Sequence, residues 1–415
     1  MASNMCLYHQ MFEIFSWLPV KLLYKLSVLK EIRSFLSEDS FVEKQCYNSS
    51  TKTAESLIIQ NDSCLRIKDT LHICFLFKDH TNNGVPIDSL KFITEKGRVL
   101  ASSNGLILCR TINSQEPTKL FLCNPVSKTW LPITLPNNEL AEACKNDTDV
   151  NIVFICGSIN FSTKKNKFPL DYTLLVFEVV VNDLEYCWNN KYNVYMLEEG
   201  DWVLKTKKLI TGGRQLDFDN YVCFNDGLYF MSISNSCYRA ESLYYYPYIV
   251  YYNMKNEASS MISLPHEARE NFNFSDCYFR IFGWERLSGN SWFFSLCLVK
   301  YLNMEINIWV MDEGDATDGE KLCSWRWLLK LNIKEDLGLK DALRWTNSFT
   351  VVDKQFIFSD SNGYIYQYQL EGINLGKLKK INKYKNSCYK LRFNSYSTTL
   401  RPCSKNLIES SLKIE

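Results

Sequence analysis

Apolar positions follow two different periods along the chain. Over residues 10–46 they fall at Phe12, Phe15, Leu18, Leu22, Leu23, Leu26, Leu29, Ile32, Phe35 and Leu36. The steps are mostly three and four, the stripe of an amphipathic helix. Pro19 has no amide hydrogen, so it fits a first helical turn better than an interior. The segment predicts a helix over about 8–17, a break, a second helix over about 19–29 and a third over about 30–37. Ser40 is placed to cap a final turn through Phe41-Val42-Glu43-Lys44.

From about residue 55 the pattern changes to apolar runs of four to eight residues between polar turns. Examples are Leu71–Phe77, Leu106–Cys109, Leu120–Cys123, Leu174–Val180, Ile306–Val310 and Gln355–Phe358. They are rich in Val, Ile, Phe, Tyr and Trp, which is strand composition at strand length. Asx-Gly pairs at Asn104-Gly105, Asp226-Gly227 and Asn362-Gly363 are hairpin turns. A second element recurs beside them: a strand, a turn at Asn or Asp, and a strand carrying a bulky side chain. It runs through Leu120–Pro132 and Ile249–Pro265, and more loosely through Asn307–Asp312 with Trp325-Arg326-Trp327. Such pairs are the outer strands expected of a propeller blade. Asn104 and Asn362 lie 258 residues apart, which at roughly 40–50 residues per blade predicts six or seven blades over 55–393. Two stacked sandwiches fit the same pattern less economically. Tyr389, Leu391 and Phe393 alternate with Lys390 and Arg392 as in one more strand. Residues 394–415 show no period, which leaves a loose tail or a segment wrapped back on the propeller.

Two blocks carry a resemblance. Glu13-Ile14-Phe15-Ser16-Trp17-Leu18-Pro19-Val20-Lys21-Leu22-Leu23, then Ser27–Leu36, then Ser40-Phe41-Val42, resembles a plant F-box, with Leu-Pro-Val-Lys its most specific part. Cys6-Leu7 stands where that family has a Leu-Pro pair, Ser27 and Leu29 replace two cysteines, and Ile32 replaces a Trp, so the first helix reads as degenerate. Ser102–Cys109 followed by Leu122–Pro132 is similar to the signature of the F-box-associated, kelch-like domains of plant F-box proteins. There Asn-Gly makes the hairpin, Asn-Pro starts a turn and Trp130 is expected to pack between blades. Both blocks occur in the family's order.

The resemblance implies a mainly β protein: an F-box-like helical domain over 8–48, a β-propeller over 55–393 and a C-terminal segment over 394–415. It implies a substrate-recognition subunit of a Skp–cullin–F-box ubiquitin ligase. The helices would dock a Skp-type adaptor, and through it a cullin, by Leu18, Pro19, Leu22, Leu23, Leu26, Val28, Leu29 and Ile32. The propeller would hold an unknown substrate protein. The alternatives are a propeller binding module that has lost its adaptor, and a propeller enzyme.

Composition narrows these readings. Lys plus Arg is 47 and Asp plus Glu is 46, a net charge of +1. That gives no electrostatic case for nucleic acid or an anionic membrane. No run reaches the ~18–20 apolar residues of a membrane span. The 16 cysteines include no C-x-x-C pair. Many sit inside apolar runs as small hydrophobes, pointing to a reducing compartment, cytosol or nucleus.

Catalytic material is sparse: His9, His72, His80 and His266 are scattered. Ser359-Asp360-Ser361-Asn362-Gly363 is similar to the Asp-box of sialidases but has Ser361 where that motif needs Asp. The acidic clusters at Glu198-Glu199-Asp201 and Asp312-Glu313-Asp315 read as solvated turns. No catalytic residue, metal or cofactor is expected. The tyrosines from Tyr244 to Tyr252, and Trp325 with Trp327, read as packing between blades in preference to a recognition surface.

Overall fold

The computed structural model describes residues 2–50, 56–61, 71–75, 93, 97–111, 119–137, 140, 150–156, 172–180, 191–198, 200–224, 227–233, 238–239, 241–242, 244–272, 277–288, 291–313, 323–333, 335, 349–352, 354–360, 363–370, 376–383, 391–401 and 403. The sequence features at His80, Glu199, Asp226, Asp315 and Asn362, and the side chain of His72, lie outside the described residues.

Four helices open the chain: α1 (Ala2–Ser16), α2 (Val20–Leu26), α3 (Lys30–Leu36) and α4 (Asp39–Ser50). Pro19 breaks the helical run as expected, with φ −56° and ψ 140°. The first helix starts at Ala2, well before the expected residue 8. The expected final turn is instead a 12-residue helix that contains Ser40. The helices close on Leu23, Ile32, Phe35 and Phe41, all fully buried. Phe35 stacks on Phe41 at 5.4 Å, and Phe12 meets both edge-on at 5.8 and 5.3 Å. Such ring pairs add about 0.5–1.5 kcal/mol each beyond their buried area. A Lys44–Glu13 ion pair (3.1 Å) and an Asn48 Nδ2–Ser16 Oγ hydrogen bond (2.7 Å) tie α4 to α1.

The rest is antiparallel sheet. β1 (Ser56–Asn61) lies between β2 (Leu71–Phe75) and β24 (Leu391–Tyr396), so strands from the two ends of the chain share one sheet. Five further sheets are meanders with the strand order of propeller blades. The first is β3 (Arg98–Ser103), β4 (Leu106–Arg110), β5 (Leu120–Asn124) and β6 (Thr129–Ile133). The second is β7 (Val150–Cys156), β8 (Tyr172–Val179), β9 (Lys191–Glu198) and β10 (Asp201–Leu204), with β11 (Leu209–Ile210) also paired to β9. The third is β12 (Val222–Phe224), β13 (Gly227–Met231), β14 (Tyr248–Asn253) and β15 (Ser259–Ser263), followed by the short helix α5 (His266–Arg269). The fourth is β16 (Tyr278–Ser288), β17 (Ser291–Leu302), β18 (Glu305–Glu313) and β19 (Cys323–Asn332). The fifth is β20 (Phe349–Val352), β21 (Gln355–Ser359), β22 (Tyr364–Gln369) and β23 (Leu378–Lys383).

Among the described residues, the expectation of six or seven blades is thus corrected to five. The overcount has a geometric origin. Asn104-Gly105 turns between the first and second strands of its blade, whereas Gly363 sits between the second and third strands of the last one. First strands begin at Arg98, Val150, Val222, Tyr278 and Phe349, steps of 52, 72, 56 and 71 residues. These are longer than the repeat assumed from sequence. The strand pairs singled out as outer ones, β5–β6, β14–β15 and β18–β19, are indeed the third and fourth strands of their blades.

The chain divides into two compact units. One comprises residues 1–148, 154–174 and 390–415; the other comprises 149–153 and 175–389. In the first, Ile58, Val99, Ile107, Cys109, Cys123 and Tyr396 form a core between the β1 sheet and the first blade. The residues after β24 wrap back within this unit. Thr399 and Arg401 are buried, and Asn124 Nδ2 donates to both their carbonyls at 3.0 and 2.7 Å. Leu400 packs on the helical cluster, and its amide donates to Gln45 Oε1 (3.1 Å). Asn104 and Gly105 both have positive φ (40° and 79°), and a side chain at 105 would meet Thr399 at 2.1 Å, so glycine is required there.

In the second unit, the third and fourth blades share a core that includes Met231, Ile249, Phe279, Leu298 and Trp309. The fourth and fifth share another around Trp284, Ile308, Phe356, Phe358 and Tyr366.

Candidate binding surfaces on the helices and the fourth blade

The eight residues assigned to adaptor binding separate into three groups. Leu23 and Ile32 do not reach the surface; they are core residues of the bundle, because their helical faces point at Phe35 and Phe41. Leu18, Pro19 and Leu26 are half-buried. Leu22, Val28 and Leu29 are exposed, Val28 by 78%. Sequence reasoning missed Ile14 (62% exposed) and Trp17, which are exposed at the end of α1. Five exposed apolar side chains therefore fall within residues 14–29. The helical period carried this signal, since Ile14 and Trp17 fall off the buried stripe.

Trp130 is not packed between blades. It is 41% exposed on β6 and leans edge-on against Phe121 of the neighbouring strand, 5.4 Å between ring centres. In the tyrosine run, Tyr248 and Tyr252 are buried, whereas Tyr246 is exposed. The buried Arg214 orders that loop: its guanidinium donates to the carbonyls of Tyr244 (2.7 Å), Tyr245 (2.5 Å) and Ile233 (2.9 Å).

The inter-blade packing expected of the two tryptophans holds for Trp325, which packs on the core shared by the third and fourth blades, and not for Trp327, which is exposed. Both form one side of a groove of about 420 Å³ on the fourth blade. Alternation along the strands puts Lys300 and Leu302 of β17 and Glu305, Asn307 and Trp309 of β18 on this face. On β19 the alternation alone would send Lys330 to the opposite face from Trp327. A bulge opposite Ile308/Trp309 inserts Leu328, so Trp327 pairs with Trp309 while Lys330 pairs with Asn307. Both side chains then line the groove.

The opposite wall comes from the segment after β15. Pro265 ends that strand and starts α5. Arg269 donates twice to the Leu264 carbonyl, at 2.9 and 2.7 Å, folding the segment into a tight turn. Glu267, Glu270 and Asn271 then face the tryptophans across the groove.

Lys300 is buried, its ammonium donates to the Glu270 carbonyl (2.5 Å), and burial pushes its pKa below the ordinary lysine value. Lys330 pairs with Glu305 at 2.9 Å. Trp309 is the buried floor. Trp325 is half-buried, its indole N–H donating to the Ser263 carbonyl (3.0 Å), while Trp327 is 56% exposed. Among the described residues, no group of three or more His, Cys, Asp or Glu is placed to hold a metal ion. No described helix is long and apolar enough to cross a membrane.

The model of a family described as "F-box protein At3g26010-like, beta-propeller" matches residues 77–335, more than half of the chain. The chain belongs to this family. The match covers the first four blades, and membership in the F-box protein At3g26010-like family suggests a protein-interaction role. Among solved structures, the chain is similar to the Dos1 propeller, at 12% identity and TM-score 0.30, over 70% of this chain and 59% of that one. It therefore spans about three-fifths of the length of that structure. It is also similar to a GH93 α-L-arabinofuranosidase of Fusarium graminearum (11%, TM-score 0.33, 69% of this chain and 80% of that one). A third likeness is to an acylaminoacyl peptidase of Pyrococcus horikoshii (8%, TM-score 0.29, 68% and 44%). No curated protein matches the chain.

Proposed function

We propose that this chain is a non-enzymatic substrate-recognition subunit of a plant-type Skp–cullin–F-box ubiquitin ligase, acting in the cytosol or nucleus. Residues 8–48 are the F-box-like domain, 55–393 the kelch-like propeller, and the rest a C-terminal segment packed back on the first unit. The observation that carries the reading is the set of exposed apolar side chains on the F-box-like helices, Ile14, Trp17, Leu22, Val28 and Leu29, in a chain of an F-box-protein propeller family. A folded helical pair that leaves such side chains in water gains free energy when a partner covers them. The adaptor then delivers the cullin, and the ligase partners supply the chemistry.

The test is capture of a purified Skp-type adaptor by the full chain. Leu22→Asp with Val28→Asp places two charges on the surface without touching the bundle core. We expect binding by the native chain, and at least a tenfold loss in the double variant with unchanged melting. Binding that survives both substitutions would sink the interface.

A second reading has its own observation. Cys6-Leu7 stands where the F-box pattern has Leu-Pro, and Ile32, in place of the Trp, is wholly buried. A folded native chain that captures no adaptor would favour a propeller binding module that has lost that partner.

A further inference from the structure

We propose that the groove between α5 and β19 binds an extended peptide segment through an arginine side chain, laid on Trp327 and held by the carboxylates of Glu267 and Glu270. The inference deepens the substrate-receptor reading by naming a substrate class, and its test does not involve the adaptor.

The charge pattern selects the ligand. Both cations of the groove are already engaged, Lys300 by the Glu270 carbonyl and Lys330 by Glu305. Lys300 is buried, and the partly exposed Lys330 is offset by its Glu305 partner. The opposite wall offers two exposed carboxylates: Glu267, and Glu270, which lies 3.5 Å from the His266 ring. Trp309, Trp325 and Trp327 line the same groove, and an indole face carries negative potential that attracts cations. Carboxylates outnumber ammonium groups three to two in the lining (Glu267, Glu270 and Glu305 against Lys300 and Lys330), and with the indoles beside them the site is complementary to a positive ligand.

Shape selects arginine among cations. A guanidinium is flat, stacks on an indole and presents its N–H groups in a fork that matches a carboxylate. Trp309 floors the groove, and Trp325 is fixed by its bond to Ser263, so the rings need little reordering on binding. A volume of about 420 Å³ admits one or two side chains. The groove also runs along the last strand of its sheet, which suits a chain that continues beyond the pocket at both ends.

The test uses fluorescein-labelled Gly-Ser peptides with a central Arg-Gly-Arg, read by anisotropy against the full chain. Parallel peptides replace arginine with citrulline, glutamate or a proline run, and agmatine serves as a free-cation competitor. We expect saturable binding of the arginine peptide below 1 mM, at least tenfold weaker binding of the citrulline peptide, and none of the glutamate peptide. Trp327→Ala, and Glu267→Gln with Glu270→Gln, should each weaken the arginine peptide at least fivefold without shifting the melt. Equal binding of arginine and citrulline peptides, preference for the glutamate or proline peptide, or full retention in these variants would overturn the proposal. Agmatine as tight as the peptide would overturn the peptide assignment. Adaptor capture without peptide binding removes only this inference; peptide binding without adaptor capture removes only the ligase reading.

Discussion

The helical surface and the blade groove both expose large apolar side chains, but they are built differently. On the helices, Leu22, Val28 and Leu29 project from a bundle whose interior is aromatic, and Trp17 and Ile14 continue the exposed set. Most of these side chains are aliphatic and the helices are short, so area and shape select the partner there. In the groove the rings are edged by carboxylates, and the cations are engaged. Charge selects the partner there as much as area does. The difference shows that exposure alone does not name a ligand; what stands beside the exposed side chain does.

The strongest way to break the comparison is to destroy one surface and leave the other. Leu23→Asp puts a carboxylate into the buried apolar cluster of Phe35, Phe41 and Ile32. An unpaired buried charge of this kind costs on the order of 4–5 kcal/mol. We expect loss of helical circular dichroism and of adaptor capture, with the arginine peptide still bound. Loss of both activities together would mean that the two surfaces are not energetically separate.

A milder perturbation uses alkali. Burial pushes the thiols of Cys46, Cys156 and Cys403 up to about 12. All three lie in the unit that carries the helices. A thiol that keeps its proton in the folded chain stabilises fully below the ordinary thiol value. That contribution is lost as pH rises from there toward 12, because the unfolded chain ionises first. One unit above the ordinary value, the loss is about 1.4 kcal/mol per thiol. Urea titrations at pH 7.5 and 9.5 under reducing conditions should show the fall, and a Cys46/Cys156/Cys403→Ala variant should flatten it. An equally steep fall in that variant would assign the alkaline sensitivity to other groups.

The sequence made the helical half more legible than the groove. Steps of three and four located the helices and the Pro19 break, and Leu18-Pro19-Val20-Lys21 carried the family resemblance. It could not show which side chains of the stripe face inward, because Leu22 and Leu23 are adjacent and only packing separates them. In the blades, alternation placed Trp325 and Trp327 on one face correctly. Inter-blade packing holds for Trp325 alone; Trp327 is left exposed on the stretch of that face that looks across to α5, some 60 residues earlier in the chain. Lys330 was beyond reach in principle: the inserted Leu328 reverses its side, and a bulge leaves no mark in an apolar run. Asn124 was read only as a turn former, and its hold on Thr399 and Arg401 depends on residues 275 and 277 positions away.

The smallest expected effects sharpen the comparison within the blades. Three tryptophans sit on fourth strands and look alike in sequence. Trp325 donates to the Ser263 carbonyl and packs on the core shared by the third and fourth blades. Removing it to Ala should cost about 1–2 kcal/mol through a lost hydrogen bond and lost packing. Trp130 contacts Phe121 and is 41% exposed, so about 1 kcal/mol or less is expected from the lost ring pair. Trp327 is the most exposed of the three, and its replacement should change stability by no more than about 0.5 kcal/mol. Chemical denaturation of the three Ala variants measures the order. The ranking 325, 130, 327 follows from what each ring touches. A Trp327→Ala loss as large as that of Trp325→Ala would make Trp327 a packing residue and leave the groove without its exposed platform. A Trp327 that is dispensable for folding, yet required by the arginine peptide, is a side chain kept for its partner.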